Sequence, residues 1–193
     1  MKLPSNIICI DIETTDLSSE FGSVIQIGAV LLNQDFEEID SFETYIRPLT
    51  SHRNSKAMEV NNISEDVLNH APTLQEALEM FEVFALQGKS RTDKFILAAW
   101  GNYFDIPFLK AQYEKIFRTW PFGYKSFDLK TIAVWEFAKR NIEFPGGVKH
   151  GLEFLNLSFE GCQHDALADI KNTIRIFKKL LQQEKRETGW GAE

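Results

Sequence analysis

Short apolar runs near the start of the chain predict three strands. Residues 7–10 are continuously apolar, and residues 24–32 form a second, longer run of the same kind. Such runs are typical of strands that are buried on both faces. From residue 41 to residue 46 apolar and polar side chains alternate instead, which predicts a third strand that ends before Pro48. The fold is therefore expected to open with three consecutive strands.

The apolar spacing in the middle of the chain changes to a helical period. Thr73 and Glu76 fit a capping box, and apolar residues follow them at helical intervals. Residues 95–100 predict a further buried strand. A helix is expected after it, over residues 106–117, with Pro107 near its start, where proline is tolerated.

Two more helices complete the predicted set, over residues 130–140 and 165–185, with a glycine pair at 146–147 marking a loop between them. Strands first, then helices alternating with strands, predict an α/β fold with a mixed sheet. We expect a single domain over residues 1–185 and a disordered C-terminal tail over residues 186–193. The last helix carries an apolar stripe that advances by 3, 4, 3 and 4 positions: Leu167, Ile170, Ile174, Phe177 and Leu181.

Composition places the chain among ordinary globular proteins. With 193 residues, 44% hydrophobic and 25% charged, it suits one compact domain and not a disordered, collagen-like or disulfide-stapled chain. Cys9 and Cys162 have no CxxC partner, so we expect reduced thiols packed as small apolar residues. The first apolar run ends at Asp11, too short for a signal peptide or a membrane span, which predicts a cytoplasmic protein without a membrane partner.

Acidic side chains recur where a predicted strand ends or a helix begins. Asp11 and Glu13 follow the first strand, and if the chain stays extended both point to the same face. Asp105 lies between the fourth strand and its helix, where an N-cap is the alternative role. Asp169 lies in the first turn of the last helix, on the flank of its apolar stripe, and a solvated position is the alternative there. His164 precedes that helix, whose N-cap is assigned to Asp165.

Four carboxylates and one histidine at element ends make a candidate metal site, because α/β folds build their sites at such positions. Oxygen ligands select hard cations, Mg²⁺ or Mn²⁺, whereas zinc would require cysteine or more histidine. Four carboxylates can hold two such ions about 3.5–4 Å apart, an arrangement suited to phosphodiester cleavage.

The same positions carry a family resemblance. Asp11-x-Glu13, Phe104-Asp105 and His164-x4-Asp169 occur in order and resemble the three motifs of the DEDDh exonucleases, which have the ribonuclease H-like fold. The resemblance runs over residues 7–181 and implies a mixed five-stranded sheet flanked by helices. It also implies two Mg²⁺ or Mn²⁺ ions held by Asp11, Glu13, Asp105 and Asp169, with Glu13 and His164 catalytic and His164 the general base.

Two branches of that family are represented in the sequence. The segment 157–161 ahead of His164, and Asn172 after the last acid, resemble the histone-mRNA and ERI-like exonucleases. Phe104-Asp105 resembles the proofreading exonucleases of the DNA polymerase III epsilon type instead. Two positions depart from the family pattern: Asp16 replaces a frequent glycine, and residues 61–63 replace a frequent His-Gly-Ile.

The resemblance implies a 3′-5′ exonuclease that releases nucleoside 5′-monophosphates from the 3′ ends of single-stranded RNA or DNA. Water would attack the terminal phosphodiester and His164 would accept its proton. Lys149 and His150, in a predicted loop, are either phosphate contacts or solvated. Residues beside the motifs are candidate contacts to the terminal nucleotide, where aromatic faces can stack on bases, although a core position is the alternative for Phe104: Thr14, Asn61, Asn102, Tyr103 and Phe104.

Two other function classes stay open. One is a nucleic-acid-binding or polymerase-associated subunit with a vestigial site, against which the complete five-residue set argues. The other is a phosphatase with an aspartate nucleophile, but such enzymes begin Asp-x-Asp and Glu13 occupies the second place here. A net charge of −7 argues against a broad basic surface for nucleic acid. Two divalent ions would offset that charge locally, so we expect a shallow hold on a few 3′-terminal nucleotides.

Overall fold

The computed structural model describes residues 5–87 and 96–188 of the chain. Three strands come first, followed by helices that alternate with two further strands. The elements are β1 (Ile7–Thr14), β2 (Val24–Leu32), β3 (Glu38–Tyr45), α1 (Ser55–Asn61), α2 (Glu65–His70), α3 (Leu74–Gln87), β4 (Ile96–Ala99), α4 (Asn102–Lys115), β5 (Ser126–Asp128), α5 (Leu129–Lys139), α6 (Val148–Phe154) and α7 (Ala166–Thr188).

The five strands form one mixed sheet in the order β3-β2-β1-β4-β5. The first three pair antiparallel, whereas β4 pairs parallel with β1 and β5 parallel with β4. Every residue of β2 is buried, in agreement with its continuously apolar sequence. The predicted α/β class, with a five-stranded mixed sheet flanked by helices, is confirmed.

Alternate residues of the central strand β1 face opposite layers of the fold. Ile8 and Ile10 belong to a core with α3 and α4. Ile7 and Cys9 belong to a second core, on the other face, with α5 and α7. The predicted stripe of α7 packs into this second core. The odd-numbered residues of β1 therefore face α7, and continuing that alternation directs Asp11 and Glu13 to the same side.

Several local predictions were wrong. The helix α4 begins at Asn102, four residues earlier than predicted, so Pro107 lies inside it and not near its start. Lys149 and His150, predicted in a loop, belong to the short helix α6. Cys9 is buried as expected, whereas Cys162 is exposed. Polar sequence obscured α1, α2 and α6, and three residues are too few for periodicity to reveal β5.

The C-terminal end of the chain belongs partly to α7, which continues to Thr188 and so includes the first three residues of the predicted tail over 186–193. The rest of that tail, residues 189–193, lies outside the described residues, and so does Phe95 of the predicted fourth strand. Within the described ranges, no helix has the length and apolar character needed to cross a bilayer.

Candidate active site

The first two acids stand on the part of β1 that extends beyond its parallel neighbour. The ladder between β1 and β4 ends at Cys9, after which β1 continues to Thr14 with β2 on its other side. The backbone N–H of Ile12 therefore has no strand partner on the β4 side, and it donates a hydrogen bond to Oδ1 of Asp105 at 3.3 Å. Asp105 thus satisfies a backbone N–H of β1 that β4 does not reach, and this hydrogen bond holds it beside Asp11 and Glu13.

A left-handed glycine brings Asp105 to this position. Gly101, two residues after the end of β4, has a φ of +86° and serves as the N-cap of α4, a conformation that costs other residues strain. The early turn lets α4 begin at Asn102, which puts Asp105 in its first turns and not at the cap. Asp105 is only 5% exposed. The N-cap role that the sequence left open for it is therefore wrong.

The N-terminus of α7 packs directly against β2. A Cβ added to Gly28 would lie 2.3 Å from the carbonyl carbon of Ala166 and 2.3 Å from the backbone N of Leu167. In the sheet Gly28 pairs with Asp11. This contact therefore brings the start of α7 over the acidic end of β1. Gly28 was not among the predicted functional residues, although a glycine inside a buried strand signals close approach of another backbone.

Gln26 fixes the same helix terminus through its side-chain amide. The residue is 1% exposed and pairs with Glu13 across the sheet. Its Oε1 accepts a hydrogen bond from the backbone N of Ala166 at 3.2 Å, and its Nε2 donates to Oδ2 of Asp165 at 3.0 Å and to Oε1 of Glu43 at 2.8 Å. The amide therefore satisfies a helix N–H that has no intrahelical partner. In the sequence, the signal for this role of Gln26 is its place as a polar residue within the otherwise apolar run 24–32.

The third motif meets the first at the beginning of α7. Asp165 accepts a hydrogen bond from the backbone N of Ala168 at 2.8 Å, as expected of an N-cap. His164, one residue earlier, is exposed and left-handed with a φ of +63°, and its backbone N donates to Oδ2 of Asp169 at 2.9 Å. Ligand atoms of Glu13, His164 and Asp169 all lie within 4.8 Å of one another.

The electrostatics of the acidic cluster favour the binding of a cation. Burial raises the pKa of Asp11 well above its usual value, and the carboxylates of Asp105, Glu13 and Asp169 raise it further. Burial, with neighbouring acids adding to it, raises the pKa of Glu13 to about 8. Burial likewise raises the pKa of Asp105 to about 7 and increases that of Asp169. Such carboxylates cannot all ionise together unless a cation joins them, and their oxygens suit Mg²⁺ or Mn²⁺.

Two of the predicted substrate contacts make hydrogen bonds to other residues of the protein. Thr14 is buried, and its Oγ1 donates to the carbonyl of Asp16 at 2.8 Å. Asn61 is also buried. Its Nδ2 donates to the carbonyl of Thr14 at 3.2 Å, and its Oδ1 accepts from the backbone N of Ile63 at 3.2 Å. Both side chains therefore hold the chain that follows the first motif.

The other three predicted contacts lie at the start of α4. Tyr103 is 71% exposed, so its ring is available to a ligand. Asn102 donates from Nδ2 to Oγ of Ser126 at 2.8 Å. Phe104 is partly buried against the core, with its ring centroid 5.4 Å from that of Phe108, which agrees with the core alternative for this residue. A substrate role for any of the three stays a prediction.

Comparison with known proteins identifies the family of the chain. The profile of the exonuclease family matches residues 8–177. The chain is 30% identical over 182 residues to a PolC-type DNA polymerase III of Staphylococcus haemolyticus, covering 92% of this chain but only 11% of the polymerase. It thus spans about a tenth of the length of that relative.

Two solved structures share the fold. The nuclease domain of 3′hExo, a DEDDh family member bound to rAMP, superposes with a TM-score of 0.76 at 24% identity, over 93% of this chain and 92% of that one. Exonuclease I of E. coli, in complex with a dT13 oligonucleotide, gives a TM-score of 0.74 at 17% identity, over 95% of this chain and 42% of that one. From the match of the family profile over residues 8–177, we conclude that the chain belongs to the exonuclease family.

Proposed function

We propose that the protein is a 3′-5′ exonuclease that removes nucleoside 5′-monophosphates from the 3′ ends of single-stranded nucleic acid with two divalent ions, Mg²⁺ or Mn²⁺. The observation that carries the proposal is the meeting of Glu13, His164 and Asp169 within 4.8 Å, beside Asp11 and Asp105. The four acids come from three separate elements, β1, α4 and α7, and their like charges repel one another unless cations lie between them.

The four acids are the proposed ligands. Asp11 and Glu13 project from β1, Asp105 from α4 and Asp169 from α7, and their raised pKa values mark them as groups that a cation would return to the ionised form. When bound, the ions would supply Lewis-acid stabilisation of the charge that develops on the scissile phosphodiester. Glu13 serves both as a ligand and as a neighbour of the reacting water.

His164 is the proposed general base. Its ring lies on the open side of the cluster, because the residue is exposed while the neighbouring acids are buried or half-buried. The backbone hydrogen bond to Asp169 fixes the residue without using either ring nitrogen. One nitrogen is therefore free to take a proton from water that attacks the phosphodiester.

Single-stranded nucleic acid is the proposed substrate class. Exonuclease I, which shares the fold, has been seen with a DNA oligonucleotide, and 3′hExo with a ribonucleotide. In this chain the exposed ring of Tyr103 lies two residues from Asp105, where it can stack on a terminal or neighbouring base without reading its identity. The proposal therefore leaves the choice of sugar to experiment.

The direct test uses matched single-stranded RNA and DNA oligomers labelled at the 5′ end, incubated with Mg²⁺ or Mn²⁺. A descending ladder on at least one of them, with mononucleotide 5′-phosphates as product, is expected. A 3′-terminal phosphate block should suppress the ladder. The exposed α1 variant Glu59→Gln is the control for substitution as such. Cleavage that begins at the 5′ end, or no cleavage of either oligomer, would contradict the proposal.

A polymerase-associated binding subunit is the second candidate, because the PolC-type relative is a DNA polymerase of which this chain matches only a segment. The same assay separates the two candidates when oligomer binding is measured in parallel by fluorescence anisotropy. Binding without any product, with wild-type protein and either metal, would favour the binding subunit.

A further inference from the structure

The segment that carries His164 has no regular secondary structure of its own. Residues 157–165 connect α6 to α7 without a helix or strand, and their side chains are mostly exposed. A loop of this kind is ordinarily mobile. A proposed base, however, has to stay within hydrogen-bond reach of the reacting water. The contacts that anchor this segment therefore bear directly on catalysis.

Asn172, on the second turn of α7, makes the central contact. Its side chain is fully buried, at 0% exposure. Nδ2 donates to the carbonyl of Glu160 at 2.8 Å and to that of Ala168 at 2.8 Å. Oδ1 accepts from the backbone N of Glu160 at 3.1 Å and from Nη1 of Arg175 at 2.8 Å. Both amide hydrogens and both acceptor sites are used, so the side chain holds Glu160 by its N–H and its carbonyl together.

Arg175, one turn further along α7, extends the same anchor. Its Nη1 also donates to the carbonyl of Ser158 at 2.8 Å, and its Nη2 pairs with the Glu160 carboxylate at 2.8 Å. Gly161 then passes over the helix with a φ of +86°, and a Cβ there would lie 2.9 Å from that of Ala168. The segment is thus bound to α7 at residues 158–161 and again at His164, through the hydrogen bond to Asp169.

We propose that Asn172 is a positioning residue for His164: by fixing Glu160 to α7, it holds the His164 loop in place over Glu13 and Asp169. The inference rests on the proposed function, in which His164 is the base. Asn172 touches neither substrate nor metal, since it lies buried beneath the loop. Displacing a catalytic group by about 1 Å can cost about a hundredfold in rate.

The test compares Asn172→Asp in the wild-type and His164→Ala backgrounds. The aspartate keeps both acceptor contacts but loses both donors, which releases the Glu160 carbonyl. In the wild-type background kcat should fall about 10- to 100-fold while KM changes less than about threefold. In the His164→Ala background the second substitution should change kcat less than about threefold, because the group that it positions is gone.

A control variant, an alternative variant and an exchange measurement keep the inference falsifiable. Phe177→Leu alters the same helix where it packs on Phe36, away from the loop, and should leave kcat within about threefold. If Asn172→Asp does not fold, Arg175→Met removes the contacts to Ser158 and Glu160 and should lower kcat in the same selective way. In addition, the Glu160 amide should exchange hydrogen faster in either variant than in wild type.

Three results would overturn the inference, and they do not all have the same meaning. An equal loss of kcat in both backgrounds, or an unchanged kcat in the wild-type background, would mean that Asn172 does not act through His164. Wild-type turnover in His164→Ala alone would remove the base itself, and that result would count against the proposed function as well.

Discussion

Gly28 of β2 lies against Ala166 at the start of α7, so closely that a methyl group on Gly28 would be 2.3 Å from the Ala166 carbonyl carbon. Because Gly28 pairs with Asp11 in the sheet, this contact sets how near the first turn of α7 comes to the acids of β1. The separation between Asp11 and Asp169 is therefore governed by the absence of a side chain on the neighbouring strand.

Gly28→Ala is expected to abolish most nuclease activity. The atoms in the way belong to backbone, so α7 has to move outward, and Asp169 moves with it. Overpacking of this kind should also lower the free energy of unfolding by about 1–3 kcal/mol. Activity, Mn²⁺ binding by calorimetry and urea unfolding measure the three effects. Gly123→Ala is the matched control, because no atom lies within 4 Å of its added Cβ. Wild-type Mn²⁺ affinity in Gly28→Ala would refute the spacing argument.

Gln26→Glu should destabilise the protein, and more so as pH rises. The substitution replaces the amide that bridges Asp165 and Glu43 with a third carboxylate. Burial and the nearby Asp165 already raise the pKa of Glu43, so an added negative charge meets like charges at close range. Urea unfolding at pH 6 and pH 8 measures the effect, with exposed Gln75→Glu as the control. An equal change in the free energy of unfolding at both pH values would count against this interpretation.

The metal-free protein should lose stability as pH rises from about 4 to about 8. Burial, with repulsion from neighbouring acids, raises the pKa of Glu13 to about 8, and burial raises that of Asp105 to about 7, while unfolded carboxyls titrate near 4. The folded state therefore binds more protons, its advantage is complete below about pH 4, and it disappears as pH passes the raised values. Mn²⁺ should restore stability most strongly at pH 8.

Thermal unfolding at pH 5 and pH 8, in EDTA and in Mn²⁺, tests this dependence. Glu13→Gln removes one of the titrating groups without changing its shape. In EDTA at pH 8 this variant should melt at a higher temperature than wild type, whereas at pH 5 the two should be closer. Equal melting temperatures of metal-free wild type and metal-free Glu13→Gln at pH 8 would refute the predicted coupling.

His164→Ala should separate chemistry from metal binding. Loss of a general base typically costs about 10²- to 10⁴-fold in rate, while the four acids that are the proposed ligands stay in place. Turnover should therefore fall within that range, and Mn²⁺ affinity measured by calorimetry should change far less. His70→Ala, at an exposed position on α2, is the control. Wild-type turnover in His164→Ala would end the assignment of the base.

Local patterns in the sequence predicted the positions of Asp11 and Glu13, because a strand alternates its faces and the apolar residues before them fix the phase. The start of α4 could not be predicted in the same way. Its first turn is polar, and the left-handed Gly101 that begins it has no periodic signature.

Contacts between distant residues were harder still to predict. Gln26 meets Asp165 across 139 positions of chain, and Asn172 meets Glu160 across a loop. Such hydrogen bonds depend on tertiary packing, so the sequence displays the residue type but not its partner. The hydrogen bonds that Thr14 and Asn61 make within the protein were likewise not evident from the sequence, and contact of either residue with a substrate stays a prediction.

The central claim is that the acids of β1, α4 and α7 make one metal-dependent nuclease site, and the dependence of hydrolysis on metal tests it most directly. The rate at which a 5′-labelled single-stranded oligomer is shortened should be measured against Mn²⁺ concentration for wild type, Asp169→Asn and the control Glu59→Gln. We expect no activity in EDTA, full recovery on adding Mn²⁺ for wild type and the control, and no recovery at any concentration for Asp169→Asn. Full activity in EDTA, or a wild-type rate for Asp169→Asn, would contradict the account.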